Sequence, residues 1–237
     1  MEIISTRKAS VIDAIKAIIY GESGAGKTFL ATTLRDVLFI NAESGTMTLR
    51  NHDIDCINVF TVQDLRDVLK FIQDPAILGK YATIVVDSLS EISELFFHDS
   101  MRTLKDGRQA YPDCYNRVIN FVRAFKALPR VNVVFLAKQA PVTDMDVTKY
   151  GPSMYYNKIS NELPYQSDFV FRLFIRKNSD GTLERFFQTR YTDKDFQFVA
   201  KDRSFDSKNP ILAEYEPANL QGIFDKISGN LTTKQEV

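Results

Sequence analysis

Short apolar runs alternate with helix-like stretches through the first 140 residues of the chain. Runs that are apolar throughout and this short are typical of strands buried on both faces of a parallel sheet. On this pattern the predicted strands are 17–20, 37–41, 54–59, 83–87 and 131–137.

The stretch between the third and fourth runs has the clearest helix signal. Thr61 and Asp64 form the capping pattern [ST]-x-x-[DE], and apolar residues then recur at helical spacing up to Ile72, before Pro75. Further helical stretches cover 90–104 and 112–128. Strands that alternate with helices in this way predict βαβ units and a mainly parallel sheet flanked by helices.

The rhythm changes after residue 137, and residues 141–164 are rich in loop-forming residues. The next predicted strands are 169–175, 185–188 and 196–200. The polar residues at 178–181 and 193–195, between these strands, have the composition of hairpin turns. We therefore expect antiparallel strands at one edge of the sheet, followed from residue 207 by a weakly structured segment and one helix.

The length of 237 residues allows one α/β domain with a substantial core. We expect a single domain over 1–237, with its core at about 14–205 and a helical segment and tail at about 206–237. The predicted fold class is α/β, with a mainly parallel sheet flanked by helices and antiparallel strands added near the C-terminus.

The segment 21–28 carries the strongest chemical signal, because it fits G-x-x-x-x-G-K-[ST] between a predicted strand and a predicted helix. Glycines let backbone N–H groups converge on phosphate oxygens, and the start of a helix adds the positive end of its dipole. Lys27 then reaches the β- and γ-phosphates, while the Thr28 hydroxyl serves Mg²⁺. The predicted nucleotide-binding residues are Gly21, Glu22, Ser23, Gly24, Ala25, Gly26, Lys27 and Thr28.

Asp87 ends the most apolar β-branched run, where a carboxylate that holds Mg²⁺ opposite Thr28 is expected. A carboxylate that only caps the next helix is the alternative. The residue after it is Ser88, a position where many ring ATPases carry the glutamate that activates water. The catalytic base must therefore come from elsewhere.

Glu43 is the predicted base, because it follows the strand 37–41, which we expect to neighbour the P-loop strand. A carboxylate at that edge of the sheet can orient and deprotonate the attacking water. The alternatives are an acid that only begins the next helix, and Glu91 as the base.

Four features occur in the order found in RecA-like ATPases: the P-loop, the strand before Glu43, the strand with Asp87 and Ser88, and a strand before Gln139. The chain resembles this family over residues 14–140. The resemblance implies a RecA-like P-loop core in which Gln139 senses the γ-phosphate and relays its presence to a mobile DNA-binding loop.

That loop would be residues 140–161, which mix cations for phosphates with rings for base stacking. The candidate DNA-binding residues are Lys149, Tyr150, Tyr155, Tyr156 and Lys158. Three acids in or beside the loop weaken this interpretation, and a surface loop with some buried tyrosines is the alternative.

Lys201-Asp202-Arg203 follows the predicted strand 196–200 and resembles the K-x-R finger of RecA-like hexameric helicases. Such a finger reaches the γ-phosphate held by a neighbouring subunit, so Lys201 and Arg203 are candidate catalytic residues of a second protomer. A solvated charge cluster is the alternative.

The motifs Gly151-Pro152, 161–164 and 201–204 extend the resemblance to short phage-encoded ATP-binding proteins with a minimal RecA-like core. Some of these are single-strand annealing proteins of phage recombination. The resemblance implies ATP hydrolysis with Mg²⁺, single-stranded DNA as a partner, and a homo-oligomer with ATP at its subunit interfaces. A single-strand-binding protein is a further candidate partner. Phe205 stands where the family usually has a glycine.

Two other classes of function stay open. One is a P-loop kinase that phosphorylates a small metabolite under a lid formed by 141–164. The other is a nucleotide-gated loader or scaffold of replication that anneals nothing. Phosphate transfer to an acceptor other than water would indicate the kinase.

Charge and composition exclude several partners. Lys and Arg total 30, as do Asp and Glu, so no global field attracts DNA or a membrane, and any nucleic-acid site must be a local patch. No apolar stretch approaches the roughly 20 residues that span a bilayer, and residues 1–5 lack a signal-peptide layout. We therefore expect a cytoplasmic protein, in the host cytoplasm if phage-encoded, without a membrane partner.

The cysteines and histidines point to no metal or redox chemistry. Cys56 and Cys114 are the only cysteines, and we expect both to be reduced, buried packing residues. His52 and His98 are too few and too scattered to complete a zinc site with them.

Overall fold

The computed structural model describes residues 14–43, 45–144 and 147–233. Within them a mixed sheet runs in the order β10-β8-β7-β1-β5-β4-β2-β3, with β6 beside β5 and β9 beside β7. The strands are β1 Lys16–Gly21, β2 Val37–Asn41, β3 Asp55–Asn58, β4 Thr83–Asp87, β5 Asn132–Asp144, β6 Val147–Ser153, β7 Phe169–Lys177, β8 Leu183–Gln188, β9 Lys201–Asp202 and β10 Tyr215–Pro217.

The strands from β7 to β3 are parallel, whereas β6, β8, β9 and β10 pair antiparallel. The helices are α1 Val62–Phe71, α2 Pro75–Leu78, α3 Leu89–Thr103, α4 Ala110–Lys126, α5 Asn157–Gln166 and α6 Leu220–Thr233. The mainly parallel sheet, its flanking helices and the antiparallel strands near the C-terminus confirm the predicted fold class.

Two hydrophobic cores cover the two faces of the sheet, because successive side chains of a strand point to opposite faces. Ile18 and Tyr20 of β1 pack with α1, α3, α4 and α5, whereas Ile19 packs with the short helix after the P-loop and with α6. Burial of each large apolar side chain contributes roughly 1.5–3 kcal/mol. Capping is also as predicted at α1, where the Thr61 hydroxyl accepts from the Asp64 N–H at 3.2 Å.

The strand order corrects one expectation about the site. β2 does not neighbour β1, since β4 and β5 lie between them. Strand order depends on packing across the whole sheet, so the local sequence does not reveal it.

The segment after the P-loop is shorter and tighter than the predicted helix. It is a 3₁₀ helix, Thr28–Thr33, and Leu34 is already extended. The hydroxyls of Thr32 and Thr33 donate to the carbonyls of Phe29 and Leu30, at 2.8 and 2.7 Å. Such bonds three residues back compete with α-helical ones, which accounts for the difference.

The predicted loop 141–164 is largely regular structure. β5 continues to Asp144 and forms an antiparallel hairpin with β6, and α5 follows with Pro164 inside it. Pro141 and Pro152 suggested a loop, but a proline is tolerated where a strand has one open side. Residues 140–144 and 147–161 are therefore mainly strand and helix rather than a loop.

Two smaller expectations near the C-terminus also change. Residues 196–200 form no strand, and a single bridge joins Phe198 to Tyr150. A third antiparallel strand, β10, occurs in the segment predicted to be weakly structured. The hairpin turn at 178–181 is as predicted, with Gly181 at a φ of +89°.

Cys114 is buried as expected, whereas Cys56 is exposed on the edge strand β3. Both are free thiols. Across residues 14–43, 45–144 and 147–233, no helix combines the length and hydrophobicity of a membrane span.

Candidate functional site

The P-loop joins the carboxyl end of β1 to the 3₁₀ helix. Gly24 and Gly26 have φ values of +77° and +96°, a left-handed conformation that other residues rarely adopt. At Gly21 a Cβ would lie 2.5 Å from the Leu173 carbonyl oxygen of β7, so only glycine allows this close approach. The loop therefore has the turned backbone that a bound phosphate chain needs.

Lys27 lies against the inside of this loop. Its ammonium donates to the carbonyl oxygens of Gly21 and Glu22, at 3.0 and 2.9 Å. Burial lowers the pKa of Lys27, while the negative charges of Glu43 and Asp87 act in the opposite direction. The cation is thus held beside two acids at the mouth of the loop.

Thr28 and Asp87 are brought together across the sheet, with the Thr28 hydroxyl donating to Asp87 Oδ2 at 2.6 Å. Oδ1 of the same carboxylate is buried and has no hydrogen-bond partner in the described part of the chain. Burial raises the pKa of Asp87 to about 6, and the charge of Glu43 adds to this, whereas the bond from Thr28 and the charge of Lys27 oppose it.

This pair fits Mg²⁺. A hydroxyl next to a buried carboxylate with one unused oxygen is an oxygen donor set that the ion accepts, with phosphate and water filling its other positions. In the described residues no group of three or more His, Cys, Asp or Glu side chains forms a metal cage of its own. The site thus matches an ion that arrives with a nucleotide.

Glu43 reaches this site although β2 is not adjacent to β1. β2 pairs with β4, and the Glu43 N–H donates to the Asp87 carbonyl at 3.2 Å. Its exposed carboxylate is close enough to influence the pKa values of both Asp87 and Lys27. The structure therefore brings the predicted base to the predicted metal residues.

The alternative base, Glu91, is engaged elsewhere. It lies in the first turn of α3 and forms an ion pair with Lys138, which also lies 3.8 Å from Glu94. A carboxylate oxygen that accepts from a lysine ammonium is not free to accept from a water molecule. This favours Glu43 over Glu91.

Gln139 lies beside the P-loop, within β5 rather than after its end. Its Nε2 donates to Glu22 Oε1 at 3.3 Å, and its Oε1 is buried without a hydrogen-bond partner among the described residues. Together with Arg172 and Phe174 it lines a small cleft of about 140 Å³. The amide is positioned to respond to a change in the loop.

Lys201 and Arg203 lie at the opposite edge of the sheet. Arg203 pairs with Asp168, just before β7, at 2.5 Å. The P-loop residue Gly21 lies beside Leu173 of β7. Asp168 and Leu173 are roughly 15 Å apart along the strand. The Lys201 ammonium donates to the carbonyls of Pro164 and Ser167, at 3.1 and 2.6 Å. Neither cation reaches the P-loop of its own chain, and the ammonium of Lys201 is already hydrogen-bonded to carbonyls at the end of α5.

The candidate DNA-binding residues fall into two groups. Lys149 stacks over Tyr191 at 4.5 Å, and Tyr150 packs on Phe198 at 5.4 Å, both beside the β5–β6 hairpin. The other three pack toward α3 and α4: Tyr155 on Phe97 at 4.1 Å, Tyr156 on Tyr111 at 5.3 Å, and Lys158 over Tyr115 at 5.1 Å. The structure does not bring the five together as one surface.

Two arginines near the loop escaped the sequence analysis. Arg185 of β8 donates to the Ala25 carbonyl at 3.0 Å and fills the space beside Gly26. Arg172 of β7 lines the cleft with Gln139. An alternation of arginine and phenylalanine at 172, 174 and 176 was visible in the sequence, and its period of two would have placed these residues on one face of the strand.

A family model described as an AAA domain matches residues 13–204. The chain belongs to the AAA domain family. It is therefore a P-loop protein of an ATPase family, for which nucleotide binding, usually with Mg²⁺, is the common property. Its AAA domain carries Lys27, Thr28, Glu43 and Asp87 within the matched residues.

Comparison with solved structures finds a likeness to the KaiC-like protein PH0186 from the hyperthermophilic archaeon Pyrococcus horikoshii OT3. The sequence identity is 14%, the match covers 76% of this chain and 80% of that one, and the TM-score is 0.44. No curated protein gives a significant match.

Proposed function

We propose that this AAA domain protein binds ATP·Mg²⁺ at the P-loop and hydrolyses it. The observation that carries the proposal is the meeting of Lys27, Thr28, Asp87 and Glu43 at one edge of the sheet, although they come from three separate segments. Loop amides and Lys27 would hold the phosphates, and Thr28 and Asp87 would hold Mg²⁺, which neutralises charge on the phosphates when bound.

Glu43 acts as the base in this proposal. The water oxygen forms a bond to the γ-phosphorus while the bond from that phosphorus to the β–γ bridging oxygen breaks, and the proton of the water passes to Glu43. ADP and inorganic phosphate are the products. The exposed carboxylate of Glu43 lies where water has access, which suits this role.

Gln139 is the proposed sensor of the γ-phosphate. Its amide contacts Glu22 of the P-loop, and it belongs to the strand that continues into the β5–β6 hairpin. A change in the conformation of the P-loop on nucleotide binding would therefore be transmitted through Gln139 to that hairpin.

Single-stranded DNA is the proposed macromolecular substrate, and annealing of complementary strands in phage recombination or replication is the proposed activity. Support comes from the resemblance to phage-encoded ATP-binding proteins and from the exposed rings and cations on the surface, such as Tyr150 and Arg176. Two measurements test it: the rate of ATP hydrolysis with and without single-stranded DNA, and the pairing of complementary oligonucleotides. An ATPase that is indifferent to DNA and leaves the strands unpaired contradicts the DNA part only.

A homo-oligomer with ATP between protomers is also proposed. Arg203 is exposed at the edge opposite the P-loop and cannot reach the site of its own chain, so any role in hydrolysis would be in the site of a neighbouring subunit. Mixing Arg203→Ala protein with Lys27→Ala protein should then restore hydrolysis at the mixed interfaces, because each variant supplies what the other lacks. Mixtures no more active than the two variants apart would contradict a role in trans.

A further inference from the structure

The alternating arginines and rings of β7 belong to a continuous surface strip. We call it the arginine–aromatic strip and define it by six residues: Phe198, Arg172, Phe174, Arg176, Phe186 and Tyr215. They come from the segment before β9 and from strands β7, β8 and β10. The sequence analysis used none of them.

Contacts between planar groups join the strip from end to end. The Arg172 guanidinium lies 3.2 Å from the centre of the Phe198 ring and 4.9 Å from that of Phe174. Arg176 lies 5.4 Å from Phe174, 5.1 Å from Phe186 and 4.7 Å from Tyr215. Planar groups thus follow one another across the antiparallel edge of the sheet.

No helix of the described chain packs over this face of β7, β8 and β10 as a core layer. The hydrophobic core on the same face includes Val170 of β7 but no described residue of β8 or β10. The opposite face is covered, with Phe187 packing toward Phe224 of α6. Accordingly Arg176 is exposed and the rings of Phe174, Phe186 and Tyr215 are only half-buried.

The charge of Arg176 is not neutralised by an ion pair. Glu184 is its cross-strand partner on β8, yet within the described residues no carboxylate lies within 4.0 Å of the Arg176 guanidinium. Asp195 is the other acid at the strip: it lies 3.7 Å from Arg172 and accepts a bond from the Tyr215 hydroxyl at 2.5 Å. One arginine is thus paired, and the outer one is available to an anion.

These features fit single-stranded nucleic acid better than a duplex. Rings and guanidinium planes stack on bases only when those bases are unpaired, and a free arginine beside them contacts the phosphates. An open sheet face that carries aromatic side chains is a recurring platform for such strands. Because the chain has no net charge, DNA binding needs a local patch of this kind.

We propose that the arginine–aromatic strip is the surface that binds single-stranded DNA, in place of the residues at 149–158. The proposal rests on the proposed action on DNA and adds the binding surface to it. Bases stack on the strip while Arg176 contacts the backbone. Its inner members Arg172 and Phe174 line the cleft that also contains Glu22 and Gln139, so the DNA surface adjoins the nucleotide site.

The test measures the affinity of the full-length protein for a fluorescent oligothymidylate by anisotropy, with ATP and Mg²⁺ present. Phe174→Ala should weaken binding about tenfold, because a base loses the ring on which it stacks. Arg176→Glu should weaken binding about tenfold as well, because an anion replaces the cation beside the phosphates. The matched controls are Arg66→Glu and Phe71→Ala, exposed residues of α1 at the other end of the sheet, which should bind as the wild type does. The circular dichroism spectrum and the midpoint of thermal unfolding of each variant should match those of the wild type and serve as the check on folding.

A second readout locates the contact directly. Photocrosslinking with a halogenated oligonucleotide should give adducts on peptides of β7, β8 or β10. If the wild type binds while Arg176→Glu binds equally well, or if Lys158→Glu weakens binding and Arg176→Glu does not, the strip is not the DNA surface and the proposed function stands. If the wild type binds no single-stranded DNA, the DNA part of the proposed function fails together with this proposal.

Discussion

The two edges of the central sheet use the same kinds of charged residue in different ways. At the carboxyl edge, Asp87 and Gln139 each have a buried oxygen without a hydrogen-bond partner among the described residues, and Glu43 is exposed. At the amino edge, the Lys16 ammonium donates to the carbonyls of Leu128 and Val131, at 2.9 and 2.5 Å. Beside the P-loop, buried polar oxygens are left without partners, whereas the ammonium of Lys16 is engaged by two backbone carbonyls.

The contrast separates stability from chemistry. Lys16 and Lys201 join segments that are far apart in the chain. Their ammonium groups donate to backbone carbonyls just after α4 and just after α5. Asp87 does the opposite, since a buried carboxylate with an unused oxygen costs stability until a cation arrives. Variants at the two edges should therefore fail in different assays.

Lys27→Ala should give the largest effect, with no measurable ATP hydrolysis, because the cation that holds the β- and γ-phosphates is lost. Lys201→Ala, its counterpart at the amino edge, should keep the turnover of the folded protein. A phosphate-release assay on both proteins makes the comparison. Hydrolysis by Lys27→Ala at the wild-type rate would refute the site.

Glu43→Gln should retain ATP and slow hydrolysis by roughly 10²–10⁴-fold, since the amide cannot accept a proton. Nucleotide affinity by calorimetry and single-turnover rates measure the two properties separately. Glu91→Gln is the matched control and should hydrolyse ATP within a few-fold of wild type, because Glu91 is paired with Lys138. Normal turnover in Glu43→Gln would move the base to another group.

Asp87→Asn should stabilise the metal-free, nucleotide-free protein by about 3 kcal/mol at pH 8. Folding raises the pKa of Asp87 from its ordinary value of 3.8 to about 6, so the folded state binds the extra proton and the cost of the buried charge is full above pH 6. The penalty fades as the pH falls from 6 toward 3.8, and the gain of the variant should vanish below about pH 4. Urea unfolding of both proteins with EDTA at several pH values measures this difference in the free energy of unfolding. An equal gain in stability at pH 4 and pH 8 would show that the charge of Asp87 is not its cause.

Lys201→Met should lower the free energy of unfolding by about 1–3 kcal/mol, because the carbonyls of Pro164 and Ser167 lose their donor. Arg203→Ala should cost less than about 1 kcal/mol, since the arginine of the pair with Asp168 is largely exposed. Thermal unfolding of the two variants distinguishes them. If Arg203→Ala lost more stability than Lys201→Met, the main structural role would belong to Arg203 and this prediction would be wrong.

The sequence signals for the candidate nucleotide site are local. The P-loop, the apolar strand that ends in Asp87 and the capping box at Thr61 are each contained in a few neighbouring residues. Glu43 was predicted as the base because β2 was expected to lie beside β1. β2 pairs instead with β4, and this pairing brings Glu43 to the site. That pairing depends on the whole sheet.

The errors share a different cause. Prolines suggested a loop where an open-sided strand tolerates them, and the partners of Lys201 are carbonyls that only the folded chain brings near. The alternation at 172–176 was readable, but its meaning depends on which face of β7 lacks a helix. Such facts belong to the tertiary structure and not to any short stretch of sequence.

Gly21 has a consequence for how this molecule tolerates change. The missing Cβ lets β1 approach the Leu173 carbonyl, and Leu173 stands between Arg172 and Phe174. Any larger residue at position 21 would push β1 and β7 apart. The P-loop and the stacked rings of β7 would then both be displaced. A mutation at this one position would therefore disturb the P-loop and the arginine–aromatic strip together.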